Sequence, residues 1–165
     1  MADPEGGIDW MFGFPTADED GALMTTVWDR IGAVIGGANK TQTIEEGELP
    51  YGGMLKAPVF LMTHTPHEPV DRDGTLYSFV VEDIAEAVRA AKAAAGDKDV
   101  SLLGGSISRQ CLKLGLVNEI VLHVVPVLLG DGISLFGGLG QRIKLERIET
   151  AAFASEAHLR YTVVA

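Results

Sequence analysis

Residues 82 to 124 change hydrophobic period three times, and this succession constrains the fold more than any other feature of the chain. Across Glu82 to Ala95, the apolar residues Ile84, Ala87, Val88 and Ala91 recur at i, i+3, i+4 and i+7 and form one stripe, the spacing of a helix laid on a core. Glu82 and Asp83 stand at its start, Arg89 and Lys92 lie in its later turns as the helix dipole favours, and Gly96 is a natural C-cap. DVSLLGG (99–105) then reads as a short strand. SISRQCLKLGL (106–116) reads as a second amphipathic helix with Ile107, Cys111, Leu112 and Leu114 turned inward. EIVLHVVPVLLG (119–130) is a long β-branched strand, with Pro126 near its far end where a bulge or edge tolerates it. Strands separated by helices predict an α/β fold with a largely parallel sheet.

The flanks extend this pattern. A short helix is expected from about Glu19 to Arg30, and GAVIGG (32–37) and APVFLMTH (57–64) read as buried strands. TLYSFVV (75–81) alternates as a third strand, and IKLERIE and HLRYTVV, separated by AAFASEA, alternate as an antiparallel C-terminal hairpin. GDGISLFGGLGQ (130–141) is a Gly-rich loop, and no linker or repeat divides the 165 residues, so one domain over 1–165 is expected.

Composition narrows the function classes. No apolar run reaches the roughly 18 to 20 residues of a membrane span. MADPEGGIDW has neither the basic start nor the apolar stretch of a signal peptide, so a cytoplasmic protein without membrane partners is expected. The lone Cys111 has no intramolecular disulfide partner and falls in an apolar helical pattern, which points to a buried structural thiol. The net charge of −10, with scattered basic residues, argues against nucleic acid as a partner. An anionic small molecule is compatible with it, because backbone N–H groups can hold a phosphate inside an acidic protein.

The junction LLGGSISRQC (102–111) is the strongest motif. A strand that ends in glycines and opens into a helix leaves the helix's first N–H groups pointing beyond the carboxyl edge of the sheet, where a phosphate is well placed. Gly104 and Gly105 carry no side chain to block its approach, and Ser106 or Ser108 can cap the helix or donate a hydroxyl. A tight strand-to-helix turn explains the same residues without any ligand. Other motifs fail on spacing: GGANKT (36–41) lacks the GxxxxGK[ST] pattern, and GDGISLF misses GxGxxG at Leu135. His64 and His67 flank Pro66 with only Glu68 nearby, so no metal site is expected, and His123 inside an apolar strand reads as a core or interface histidine.

Taken together, VSLLGGSISRQCLKLGLVNEIVLHVVPVLLGDGISLF (100–136) resembles the dihydrofolate reductase-like family, in the branch that includes the reductase domain of the bifunctional riboflavin-biosynthesis deaminase-reductase. AVIGGANKT, PVFLMTHTP and ADPEGGIDWMF (2–12) resemble that family's cofactor-flanking strand ends and early substrate-side loop. The resemblance implies a dihydrofolate reductase-like three-layer α/β fold, a homodimer, and hydride transfer from NADPH, or from NADH, to a small pterin-, pyrimidine- or ribosylaminopyrimidine-like substrate. It implies that Gly104, Gly105, Ser106, Ile107 and Ser108 hold the cofactor pyrophosphate. Gly36, Asn39, Lys40 and Thr41 would contribute from one loop and Thr63 and His64 from another, with Lys40 the charge nearest a 2′-phosphate.

Three departures from the family pattern shape these expectations. The chain starts at the ADP-x-G segment, so the family's first strand is expected to be lacking. The basic residue often found in the TH-x-P turn is Thr65, and the acidic residue before Gly-Gly in riboflavin-pathway reductases is Leu103. Asp9 beside Trp10 is the candidate catalytic acid, with a helix-capping surface role as its alternative, and Glu119 is either a supporting polar group or a surface residue at a strand start. The alternative for the whole protein is a non-catalytic, dinucleotide-binding dimeric module.

Overall fold

The computed structural model describes residues 2–12, 18–37, 55–81, 83–152 and 156–164. A short 3-10 helix at Asp9–Phe12 precedes α1 (Asp18–Asp29) and β1 (Ile31–Gly37). Then come β2 (Val59–Met62), β3 (Val70–Arg72), β4 (Thr75–Val80), α2 (Ile84–Ala95), β5 (Asp99–Leu102) and α3 (Gly105–Lys113). The chain closes with β6 (Glu119–Val124), β7 (Lys144–Ala152) and β8 (Ala157–Val164).

Two sheets result. The first has five strands in the order β3-β4-β2-β1-β5, parallel throughout except for the edge strand β3. The second has three antiparallel strands in the order β6-β8-β7. The α/β class with a largely parallel sheet and an antiparallel C-terminal unit therefore holds, and β6 belongs with the antiparallel unit. β3 lay hidden to the period reading, although VDRDGTLY carries the Asp-Gly pair of a tight hairpin. Asp73 and Gly74 take positive φ of 51° and 78°, as a two-residue hairpin turn requires.

Alternation along the strands divides the core. Ala33 and Ile35 of β1 face α2 and pack with Ala87, Val88, Ala91 and Cys111, whereas Val34 faces the other way toward Val59, Leu61 and Tyr77. α2 begins at the N-cap Asp83, whose carboxylate accepts the Glu86 N–H at 3.0 Å, and it buries the expected stripe. Gly32 permits its close approach to β1: a Cβ there would lie 2.7 Å from the carbonyl oxygen of Ala95.

Two expectations need correction. The strand begun at Glu119 stops at Val124, not Gly130, because Pro126 has no N–H to donate to a ladder; Leu128 beyond it is exposed. The second helix ends at Lys113, so Leu114 is exposed instead of inward. The reason is a Schellman closure: Gly115 at φ 67° donates to Leu112, and Leu116 donates to Cys111 at 2.9 Å. Leu116 takes the inward place beside the core.

Candidate functional site

Register brings the strand ends together. Ile35 lies opposite Leu102, and Gly36 and Gly37 lie opposite Leu61 and Met62, so the residues just beyond β1, β2 and β5 share one edge of the parallel sheet. The Leu103 N–H donates to the Ile35 carbonyl at 2.7 Å and the Thr63 N–H to the Val80 carbonyl at 3.0 Å, which anchors both exits. Gly36, Thr63, His64, Gly104 and Gly105 thus meet at the carboxyl edge, the usual ligand side of such sheets. Asn39, Lys40 and Thr41 lie outside the described residues.

α3 starts directly from this edge. Gly104 is its N-cap at φ 97°, ψ 141°, a conformation open to glycine, and a Cβ placed there would meet nothing within 4 Å. The first helical bond runs from the Ser108 N–H to the Gly104 carbonyl at 3.1 Å, so the N–H groups of Gly105, Ser106 and Ile107 precede the intrahelical ladder. Among the described residues, no side chain caps them. This arrangement fits a phosphate: several N–H groups converge with the positive end of the helix dipole and no Cβ obstructs the approach at Gly104.

The side chains have narrower parts than their residue types suggest. The Ser108 hydroxyl donates to the Gly104 carbonyl at 3.0 Å, which stiffens the turn. Ile107 is buried beside Gly37, so only its backbone faces the edge. The Thr63 hydroxyl accepts from the Thr65 N–H and donates to the Thr65 carbonyl, holding the turn that carries the exposed His64. His67, farther along, tilts against Phe79 with ring centroids 4.8 Å apart.

Arg109 is a residue that the sequence reading overlooked. Its Nη1 donates to the Ser134 carbonyl at 2.7 Å, and a Cβ on Gly105 would lie 3.1 Å from the same nitrogen. A cation therefore stands over the start of α3. The available signal was its position four residues after Gly105, one helical turn on. Ser134 belongs to the Gly-rich loop, whose Ile133 pairs with Ala2. The N-terminal segment is thereby tied to the loop that Arg109 holds, and Asp9 opens the 3-10 helix of that segment.

Other ionisable groups are explained by the fold. Glu119 at the start of β6 accepts from Arg160 and Arg30, and chiefly the Arg160 hydrogen bond holds its carboxyl below the ordinary value. It supports the junction of elements and is not at the carboxyl edge. Burial pushes the Cys111 thiol up, which agrees with a structural cysteine. Among the described residues, no helix is long and apolar enough to cross a membrane.

Residues 54–159 match the family described as the RibD C-terminal domain. The Bacillus subtilis (strain 168) protein YyaP is 41% identical over 78 residues, which span 47% of this chain and 41% of YyaP. Among solved structures, a Shewanella sp. PV-4 protein named for riboflavin biosynthesis superposes with a TM-score of 0.79 at 23% identity, over 99% of this chain and 92% of its own. The deaminase/5-amino-6-(5-phosphoribosylamino)uracil reductase of Thermotoga maritima superposes with a TM-score of 0.66 at 15% identity, over 99% of this chain and 52% of its own. A pyrimidine reductase-like protein of Corynebacterium diphtheriae gives 0.60 at 16% identity, over 91% and 83%. At these identities the solved structures establish the fold. The match to YyaP, and the superposition on the Thermotoga enzyme, take in about half or less of those longer proteins.

Proposed function

The chain belongs to the RibD C-terminal domain family, and from that membership we propose that it is a reductase that binds NADPH, with NADH as the other option, and reduces a small pyrimidine-, pterin- or ribosylaminopyrimidine-like compound. The observation that carries this reading is the start of α3, where the open N–H groups of Gly105, Ser106 and Ile107 meet the bare Gly104 and the guanidinium of Arg109 at the carboxyl edge. The bound dinucleotide supplies the hydride in such a reaction.

The chain's own residues bind and orient. In this reading the α3 N-terminus takes the pyrophosphate, and Arg109 offsets part of its charge. Gly36 keeps the end of β1 low; a Cβ there would already lie 3.2 Å from Leu61, so the floor between β1 and β2 is closed by packing. Thr63 and His64 border the adenosine side, Asn39, Lys40 and Thr41, which follow β1 in the sequence, add to it in the same reading, and Asp9 delivers or relays the proton that completes the reduction.

Thermal unfolding with NADPH and with NADH tests binding, since a ligand that binds only the folded state raises the midpoint. Loss of reduced-nicotinamide absorbance with pyrimidine and pterin substrates tests turnover. Stabilisation with turnover that falls in Asp9→Asn supports the full reading. Stabilisation without turnover leaves a dinucleotide-binding module, and no stabilisation by either nucleotide refutes the proposal. The homodimer is part of the same reading and is supported by the exposed Leu145 and Ile148 on the edge strand β7; light scattering on the eluted protein checks it.

A further inference from the structure

We propose that His123, His158 and Glu156 bind one divalent transition-metal ion of the zinc class, on the antiparallel sheet and apart from the dinucleotide edge. His123 and His158 stand directly opposite each other in the β6–β8 ladder. Cross-strand partners project from the same face, so both imidazoles leave the sheet together. Their rings meet edge to face, with centroids 4.2 Å apart and planes at 86°. Glu156, one residue before β8, brings its Oε1 to 3.4 Å from the His158 Nε2.

One ligand atom from each of the three lies within 4.8 Å of the others. A tetrahedral ion with donors at about 2.0–2.2 Å sets them roughly 3.3–3.6 Å apart. The Glu156–His158 pair already has that separation at 3.4 Å, and His123 is the third donor, within 4.8 Å of both. The His158 side chain is buried at 5% exposed, and Glu156, at 16%, and His123 are half-buried.

The donor types select the ion. Two imidazole nitrogens and one carboxylate oxygen suit zinc and its first-row neighbours, whereas calcium and magnesium take oxygen sets. Three protein ligands leave a tetrahedral ion one position for water or another molecule. The nearby cation does not oppose binding strongly, because Arg160, two residues along β8, is paired with Glu119 at 2.7 Å and Glu149 at 3.9 Å. A cavity of about 80 Å³ between α1 and the sheet is lined by Leu23, Val27, Arg30 and His158, and it is large enough for water beside the imidazole.

The test uses the full chain without a histidine tag, stripped with a chelator. Calorimetric titration with zinc chloride is expected to show one equivalent per chain and a raised thermal midpoint that chelator reverses. Cobalt(II) is expected to give the visible absorption of a tetrahedral site. His123→Ala and Glu156→Gln, each checked for folding by circular dichroism, are expected to weaken zinc binding by at least the 10- to 100-fold lost with a mere outer partner. His67→Ala should bind as the parent does. Absence of saturable binding in the parent, or unchanged affinity in Glu156→Gln and in any folded His123→Ala, overturns the proposal.

Discussion

Arg160 donates from Nη2 to Oε2 of Glu119 at 2.7 Å, tying β8 to the first residue of β6. Glu119 also receives Nη1 of Arg30 at 3.1 Å, and Nη2 of Arg30 reaches Oδ2 of Asp99 at 2.6 Å. Arg30 therefore joins the start of β5 in one sheet to the start of β6 in the other. Glu119 is the acceptor on which both arginines converge.

The Glu119 carboxyl is held below its ordinary 4.5, first by the Arg160 hydrogen bond and then by Arg30, against an opposing effect of burial. A depressed carboxylate stabilises the fold fully above the unfolded value, and that contribution fades as pH falls through the lowered one. Glu119→Gln is expected to cost about 1–3 kcal/mol near neutral pH. Urea midpoints measured at successively lower pH should show parent and variant converging below the ordinary carboxylate value; a constant gap would contradict the assignment.

Gly104 and Arg109 separate backbone from charge at the proposed nucleotide edge. Gly104→Ala forces a side chain into φ 97°, ψ 141° and should cost about 1–3 kcal/mol along with NADPH affinity. Arg109→Gln, on a half-buried side chain that holds the Ser134 carbonyl, should cost about 1 kcal/mol. Its NADPH affinity should nevertheless fall about tenfold, as expected when one charge-assisted contact is lost. Nucleotide titrations at two salt concentrations check this, because the parent's affinity should be the more salt-sensitive.

At Gly32 even a methyl group meets the backbone of α2, with Ala95 O at 2.7 Å and Ala95 Cα at 2.9 Å. Gly32→Ala should destabilise by about 1–3 kcal/mol through overpacking. Gly21→Ala, where a Cβ meets nothing within 4 Å, serves as the control in the same denaturation series.

Tyr77 is fully buried, and its hydroxyl finds no hydrogen-bond partner among the described residues. Burial, reinforced by Asp73, pushes its phenol up. Tyr77→Phe removes a desolvated hydroxyl while keeping the ring, so stability should stay level or rise by about 1 kcal/mol. A marked loss on thermal unfolding would mean that the hydroxyl is satisfied.

Much of this architecture is legible in the sequence. Ile84, Ala87, Val88 and Ala91 specify their helix because only a 3.6-residue turn puts all four on one face, β1 and β2 follow from short apolar runs, and β4 follows from alternation. The glycines before Ser106 marked the α3 entry for a similarly local reason: a backbone at φ 97° excludes most side chains. The errors were also local in origin. β6 ended early at a missing N–H, and α3 closed on Gly115 before Leu114 could turn inward.

Periodicity assigns a residue to a face, but it does not say which residue of another strand stands opposite. The antiparallel register alone sets His123 against His158 and Glu156 beside them, and only the folded chain brings Asp99 and Glu119 within reach of Arg30 together. Arg109 acquires its place over Gly105 because a loop from another part of the chain offers it the Ser134 carbonyl. The sequence by itself determined the helices, the parallel strands and the glycine-lined entry to α3, through steric limits and burial patterns that act within one turn or one pleat. Tertiary structure decided the pairings, because each depends on where distant segments come to rest.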